Sequence, residues 1–301
     1  MSNMTVRLCG QTLQNPVIAA SGTFGFGTEY AGIVDLHRVG GISGKGLTLH
    51  GKYGNEGERL WETPSGLINS IGLQNPGVQH FIDNELPAML QLGTKVFANL
   101  GGGCIEDYEE GARLLSATDV HFIELNISCP NVKQGGIAYG VKAEMAREVV
   151  SRVGKACTKP LIVKLSPNAE NITEMALACE AAGADGLSLV NTFQAMAIDL
   201  EKRRPVFNNV FAGLSGPAIR PIALRMVYQV CKAVKVPVIG LGGIATGRDA
   251  LEFIMAGATA VQVGTANFAN PMAMQQIPLE MEQWMAANGV NSLDEIRGAA
   301  L

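Results

Sequence analysis

The chain has 301 residues, 47% hydrophobic and 17% charged, with a formal net charge of −4. That composition excludes a disordered chain, and the acidic balance excludes the basic footprint expected of a nucleic-acid binder. The opening Met-Ser-Asn-Met-Thr-Val-Arg-Leu holds no apolar stretch of the signal-peptide kind, and no apolar run reaches the length of a membrane span; a soluble, cytoplasmic protein is expected.

Short Val- and Ile-rich runs closed by Gly, Asn, Lys or Ser predict strands at 16–20, 39–44, 95–100, 121–127, 160–165, 185–190, 236–241 and 259–264. Helical patterns fall between most of them, at 141–157, 170–182, 217–234, 246–256 and 271–288. Strands buried on both faces by helices read as continuous apolar runs, and alternating strands and helices imply a parallel sheet. Eight units predict a (β/α)8 TIM barrel occupying 1–301 as a single domain. The competing architecture is an open doubly wound sheet, disfavoured because no Gly-x-Gly-x-x-Gly follows the first strand. Two connections, 47–94 and 191–216, are too long for simple turns. Both leave the C-terminal ends of strands, where barrel enzymes place their chemistry.

The strand ends carry the polar residues. In chain order they are Ser21-Gly22, Lys45-Gly46, Asn99, Asn126, Lys164, Asn191-Thr192, Gly242-Gly243 and Gly264-Thr265. A lysine inside Leu-Ile-Val-Lys-Leu needs an anionic partner. A nearby carboxylate is one candidate for that partner; with Lys45 at the same mouth, a bound anion is the better one. The glycine turns after the seventh and eighth strands fit a phosphate site, since the corresponding loops of barrels commonly bare backbone N–H groups to a phosphate. Asn99, Asn126 and Asn191 together offer donors and acceptors suited to a planar heterocycle. His37, His50, His80 and His121 fall outside this set, which disfavours a histidine base.

Six cysteines (Cys9, Cys104, Cys129, Cys157, Cys179 and Cys231) include no Cys-x-x-Cys pair. No metal site or iron–sulfur cluster is therefore expected in this chain, and most of the thiols should be buried and inert. Cys129 differs, because it lies just past the fourth strand in Asn126-Ile-Ser-Cys-Pro-Asn131, followed by a glycine-containing stretch with the character of a lid. A thiol there serves as nucleophile or base if its pKa is tuned. Ser128 is its neighbouring rival.

These residues resemble the dihydroorotate dehydrogenases, specifically the class 1B catalytic subunit. The resemblance covers nearly the whole chain. It is carried by Ala-Ser-Gly at 20–22, Lys45-Gly46, Asn69-Ser-Ile-Gly-Leu73, Asn126-Ile-Ser-Cys-Pro-Asn131, Val163-Lys-Leu165, Asn191-Thr192, the 213–221 segment and the two glycine turns. A cysteine at 129 is similar to class 1, whereas class 2 carries serine and a membrane-associating extension. The 191–199 segment and Lys202-Arg203-Arg204 look like 1B.

The resemblance implies FMN as cofactor. It puts the phosphate on Gly242, Gly243, Gly264 and Thr265 with Gly216 nearby, and the ring and ribitol on Ser21, Lys45, Gly46, Asn99, Asn126, Lys164 and Val190, a position often isoleucine in the family. Dihydroorotate would be held by Lys45, Asn69, Ser70, Ile71, Gly72, Leu73, Asn126, Asn191 and Thr192. The implied reaction is oxidation of dihydroorotate to orotate in pyrimidine (UMP) biosynthesis. Cys129 would take the C5 proton, the C6 hydride would pass to the flavin, and Lys164 would supply a counter-charge. Class 1B members work with an iron–sulfur flavoprotein subunit carrying FAD and a 2Fe-2S cluster, which passes electrons to NAD; a homodimer core within a heterotetramer is expected. The remaining readings are a class 1A-like fumarate-dependent enzyme, another flavin barrel such as a dihydropyrimidine dehydrogenase domain or a dihydrouridine synthase, and a non-redox phosphate-binding lyase using Lys164 as a Schiff base.

Overall fold

The structure, a computed structural model, describes residues 3–128 and 139–301. Eight parallel strands close into a barrel: β1 Val17–Ala19, β2 Gly41–Ser43, β3 Lys95–Leu100, β4 Phe122–Asn126, β5 Leu161–Lys164, β6 Gly186–Leu189, β7 Val238–Leu241 and β8 Ala260–Val263. Each lies inside the corresponding predicted run. The (β/α)8 architecture is as expected.

Helices α1 Ile105–Ser116, α2 Ala143–Ala156, α3 Ile172–Ala181, α4 Arg220–Ala233, α5 Gly247–Met255 and α6 Ala273–Ala287 wrap the outside. Five of them match the predicted patterns, and α1 is an addition. No long helix joins β1 to β2, which are linked through short 3-10 turns at Thr28–Tyr30 and Leu36–Arg38; α6, at the end of the chain, packs back against β1. Among the described residues no helix is long and apolar enough to cross a membrane.

Local chemistry explains where elements begin. Thr246 caps α5 by accepting from Asp249 N (3.2 Å), and the Asp249 carboxylate accepts from Thr246 N (2.9 Å) in return, a reciprocal capping box. Asn171 caps α3 by accepting from the amides of Thr173 and Glu174. An N-terminal hairpin, Val6–Leu8 with Gln11–Leu13, turns on Cys9 and Gly10, both at positive φ (45° and 81°). Two left-handed residues match the twist of a two-residue hairpin. Its Leu8 and Leu13 are fully buried, and Cys9 Sγ donates to Asp185 O (3.2 Å) just before β6. The hairpin therefore closes the N-terminal end of the barrel.

Strand periodicity sends alternate residues inward. Along β4 these are Phe122, Glu124 and Asn126, and beside them on β3 stand Phe97 and Asn99. Phe97 and Phe122 stack at 4.2 Å between centroids, and a Cβ on Gly41 would lie 2.7 Å from the Phe97 ring. The barrel interior is thus apolar at its closed end and polar toward the C-terminal ends.

The two long connections fold together. Leu60–Thr63 and Gly66–Asn69 from the first pair in one antiparallel sheet with Phe211–Ser215 and Phe193–Met196 from the second.

Candidate active site

The C-terminal end of the barrel and this added sheet enclose a cavity of about 850 Å³, within the range of cofactor-sized sites. Every predicted site residue among those described lies in its wall: Ser21, Lys45, Gly46, Asn69, Ser70, Ile71, Gly72, Leu73, Asn99, Asn126, Lys164, Val190, Asn191, Thr192, Gly216, Gly242, Gly243, Gly264 and Thr265. Cys129, predicted to be catalytic, lies outside the described residues; Ser128, its neighbour, lines the cavity.

Barrel register explains the convergence. Asn126 at the end of β4 pairs with Lys164 on β5, and Lys164 pairs with Ser188 on β6. Lys164 is 4% exposed. Its charge faces Glu124, which sequence reasoning passed over. Glu124 is fully buried and accepts four hydrogen bonds. Ser43 Oγ (2.8 Å) and Asn99 Nδ2 (2.7 Å) donate to one oxygen, Ser188 Oγ (2.8 Å) and Gln262 Nε2 (2.7 Å) to the other. Burial alone would push this carboxyl up. The Lys164 ammonium and the hydrogen bonds from Asn99, Ser188 and Ser43 outweigh it and hold the group below the ordinary carboxylate range. Part of the negative charge that the sequence reading assigns to a ligand of Lys164 therefore comes from Glu124. The signal for it was present: one carboxylate inside the apolar run His-Phe-Ile-Glu-Leu-Asn.

The asparagines form a chain. Asn126 Nδ2 approaches Asn99 Oδ1 (3.5 Å), Ser128 Oγ donates to Asn126 Oδ1 (2.5 Å), and Asn191 Nδ2 donates to Ser128 Oγ. On the opposite wall, Ser70 Oγ accepts from Asn55 (3.0 Å) and Asn209 (3.3 Å), and Asn69 Nδ2 donates to Gly213 O (3.2 Å). These bonds hold the 69–73 segment, in which Gly72 and Leu73 both take positive φ (75° and 57°).

The glycine turns leave room and donors. Gly242 and Gly243 sit at φ 131° and 73°, a region that favours glycine. Among the described residues the backbone N–H groups of Gly243, Ile244 and Thr265 have no acceptor. Thr265, whose Oγ1 donates to Ser215 Oγ (2.8 Å), opens a short helix at Ala266–Ala269. A Cβ on Gly264 would meet nothing nearer than Ala20 Cβ at 3.5 Å. Gln262, at the floor, is 1% exposed, and among the described residues its Oε1 has no hydrogen-bond partner. Bare amides at one end, a buried cation at the other and amide side chains between form a donor set that fits a phosphorylated planar heterocycle such as FMN.

The profile of the family described as "Dihydroorotate dehydrogenase" matches residues 3–285. Curated relatives agree over the full length. The chain is 56% identical to the dihydroorotate dehydrogenase B (NAD(+)), catalytic subunit of Petrotoga mobilis, over 99% of both chains. It is 55% identical to the protein of the same name from Geobacter sp. (strain M21), over 99% of this chain and 98% of the relative. The corresponding figure for Geotalea uraniireducens is 54%, with the same coverage. A closed barrel with this mouth, matched end to end by such relatives, makes the chain a member of the dihydroorotate dehydrogenase family.

Proposed function

We propose that this chain oxidises dihydroorotate to orotate in pyrimidine biosynthesis, using FMN held in the barrel mouth, with NAD as final acceptor reached through a partner subunit. The observation that carries the reading is the gathering of all the described site residues into one cavity whose floor, walls and glycine turns match the three parts of the cofactor.

In this reading the amides of Gly243, Ile244 and Thr265 hold the phosphate, with Gly216, Gly242 and Gly264 letting it approach. Ser21, Gly46, Asn99, Asn126, Val190 and Lys164 hold the ring and ribitol. When bound, FMN supplies the acceptor for the hydride leaving C6 of the substrate. Lys45 and the amide donors of Asn69, Asn126, Asn191 and Thr192 orient the substrate and meet its carboxylate, with Ser70, Ile71, Gly72 and Leu73 forming the wall over it. Cys129 removes the C5 proton as the thiolate. Lys164, itself buried, provides fixed positive charge where negative charge arrives.

The relatives are named as catalytic subunits, which supports a second subunit. We assign to it FAD and a 2Fe-2S cluster, and to this chain a homodimer core within a heterotetramer. Exposed apolar side chains on and beside the added sheet, including Ile198, Leu200 and Phe211, are of the kind that mark protein contacts.

The test is an anaerobic mix of the flavin-loaded chain with dihydroorotate. Flavin absorbance should bleach in the wild type and bleach far more slowly in Cys129→Ser. Unchanged bleaching in that variant removes Cys129 as the base, and a protein that retains no flavin removes the reading as a whole. The purified chain alone should fail to reduce NAD at full rate.

A further inference from the structure

Glu124 determines more than charge. An ionised carboxylate offers about four lone-pair sites and no proton. All four are taken, by Ser43, Asn99, Ser188 and Gln262. Each partner must therefore donate. A side-chain amide is ordinarily free to present either end, but here the nitrogens of Asn99 and Gln262 are bound to the carboxylate and their oxygens face away from it. Asn99 Oδ1 has a donor in Asn126. Gln262 Oε1 has none among the described residues, although it is buried and its side chain lines the cavity. A buried carbonyl oxygen without a donor is costly, and the ligand that fills the cavity is the natural source of one.

We propose that Gln262 reads the cofactor: its Oε1 accepts a hydrogen bond from the ring imide N–H of the bound isoalloxazine, and Glu124 is the positioning residue that keeps this oxygen turned toward the cavity. The inference rests on the FMN reading above. The pyrimidine edge of oxidised flavin carries one N–H, at N3, flanked by two carbonyls. An oxygen that cannot turn over accepts from that N–H and discriminates against a ring lacking it, whereas the flanking carbonyls need donors such as the Lys164 ammonium.

The experiment titrates the deflavinated full chain with FMN and with 3-methyl-FMN, which has no N3–H, following fluorescence. Wild type should bind FMN at least roughly tenfold more tightly than the methylated analogue, the scale of one buried polar group left unpaired. Gln262→Ala removes the acceptor and opens space for the methyl group, so the preference should largely disappear. Glu124→Gln frees the amide at 262 to turn and should narrow the preference while leaving the acceptor in place. A second readout is the proton shift of FMN labelled with nitrogen-15 at N3, which should move downfield on binding to wild type and return toward the free value in Gln262→Ala. Equal binding of the two flavins by wild type, which needs no variant to fold, overturns the assignment, as does an undiminished preference in a folded Gln262→Ala. Failure of wild type to bind either flavin instead overturns the FMN reading.

Discussion

Asn191 Nδ2 donates a hydrogen bond to Ser128 Oγ, joining the segment after β6 to the segment after β4 across the barrel mouth. Ser128 Oγ in turn donates a hydrogen bond to Asn126 Oδ1, Asn126 turns its amide to Asn99, and Asn99 donates to Glu124. Every donor in the series points toward the buried anion, an arrangement in which each bond polarises the next. The Ser128 hydroxyl thus donates one hydrogen bond and accepts another, which ties it to Asn126 and Asn191; we propose that it acts as a tether beside position 129.

Ser128→Ala should therefore lower activity without abolishing it. Two hydrogen bonds are lost, costing on the order of 1–2 kcal/mol of stability, and anaerobic flavin bleaching by dihydroorotate should slow by about tenfold as the segment leading to Cys129 loses its anchor. Stopped-flow absorbance and a urea melt check both. Bleaching as slow as in Cys129→Ser would place Ser128 in the proton-transfer chemistry.

Glu124 gives a pH dependence of defined sign. Its folded pKa lies below the ordinary value, so its stabilising contribution is complete above about pH 4.3, where the unfolded glutamate is also ionised. That contribution is lost as pH falls through the lower folded value. As pH falls below about 4.3, wild type should lose stability more steeply than Glu124→Gln, whereas at pH 7 the variant should be the less stable by about 3 kcal/mol or more, as when a buried charge pair loses one member. Parallel urea-midpoint curves for the two proteins would refute this.

Burial pushes the thiols of Cys9, Cys179 and Cys231 up to about 12. At pH 8 they should stay protonated and resist iodoacetamide in the native protein, then react fully in guanidinium, as read by peptide mass spectrometry. Since unfolded thiols ionise near pH 8.5, the stability these groups contribute is complete below that pH and declines as pH rises toward 12. Rapid labelling of Cys179 in the native protein would contradict its burial.

Three glycines should respond differently to alanine. Gly154, in α2, has open space around its Cβ position, so Gly154→Ala should stabilise the protein by about 0.5–1 kcal/mol and leave FMN binding alone. Gly264→Ala meets only ordinary contacts in the protein; melting of the apoprotein should hold while FMN affinity falls about tenfold, because the new methyl occupies ligand space. Gly243→Ala meets Arg220 and Gly216 at 2.8 Å at a φ of 73°, and should destabilise the fold itself by about 1–3 kcal/mol. Calorimetry and flavin titration on the same three proteins separate these outcomes.

What the sequence discloses and what it hides divide along a physical line. The eight strands are legible because a strand buried on both faces must be apolar throughout, and Lys45, Asn99, Asn126 and Lys164 stand out as polar residues at or near the strand ends. Glu124 and Gln262 break the same rule mid-strand, but their meaning depends on partners from 25 to 138 residues away, brought together only by barrel closure. No local spacing encodes that. The N-terminal hairpin, three residues on each side, is too short to present a period; the 12-residue α1 does present one, with Ile105, Tyr108, Ala112 and Leu115 buried at helical spacing, so its signal was available in the sequence.

The shared sheet of the two long connections has one more consequence. Gly66–Asn69 and Phe211–Ser215 are adjacent in the ladder, so the segment that continues into 70–73 and the segment that follows Thr192 form one mechanical unit, although some 140 residues of barrel separate them in the chain. A graft of either connection from a relative without the other would cut this ladder along its middle. Transplanting this wall of the cavity into another barrel therefore requires moving both connections together.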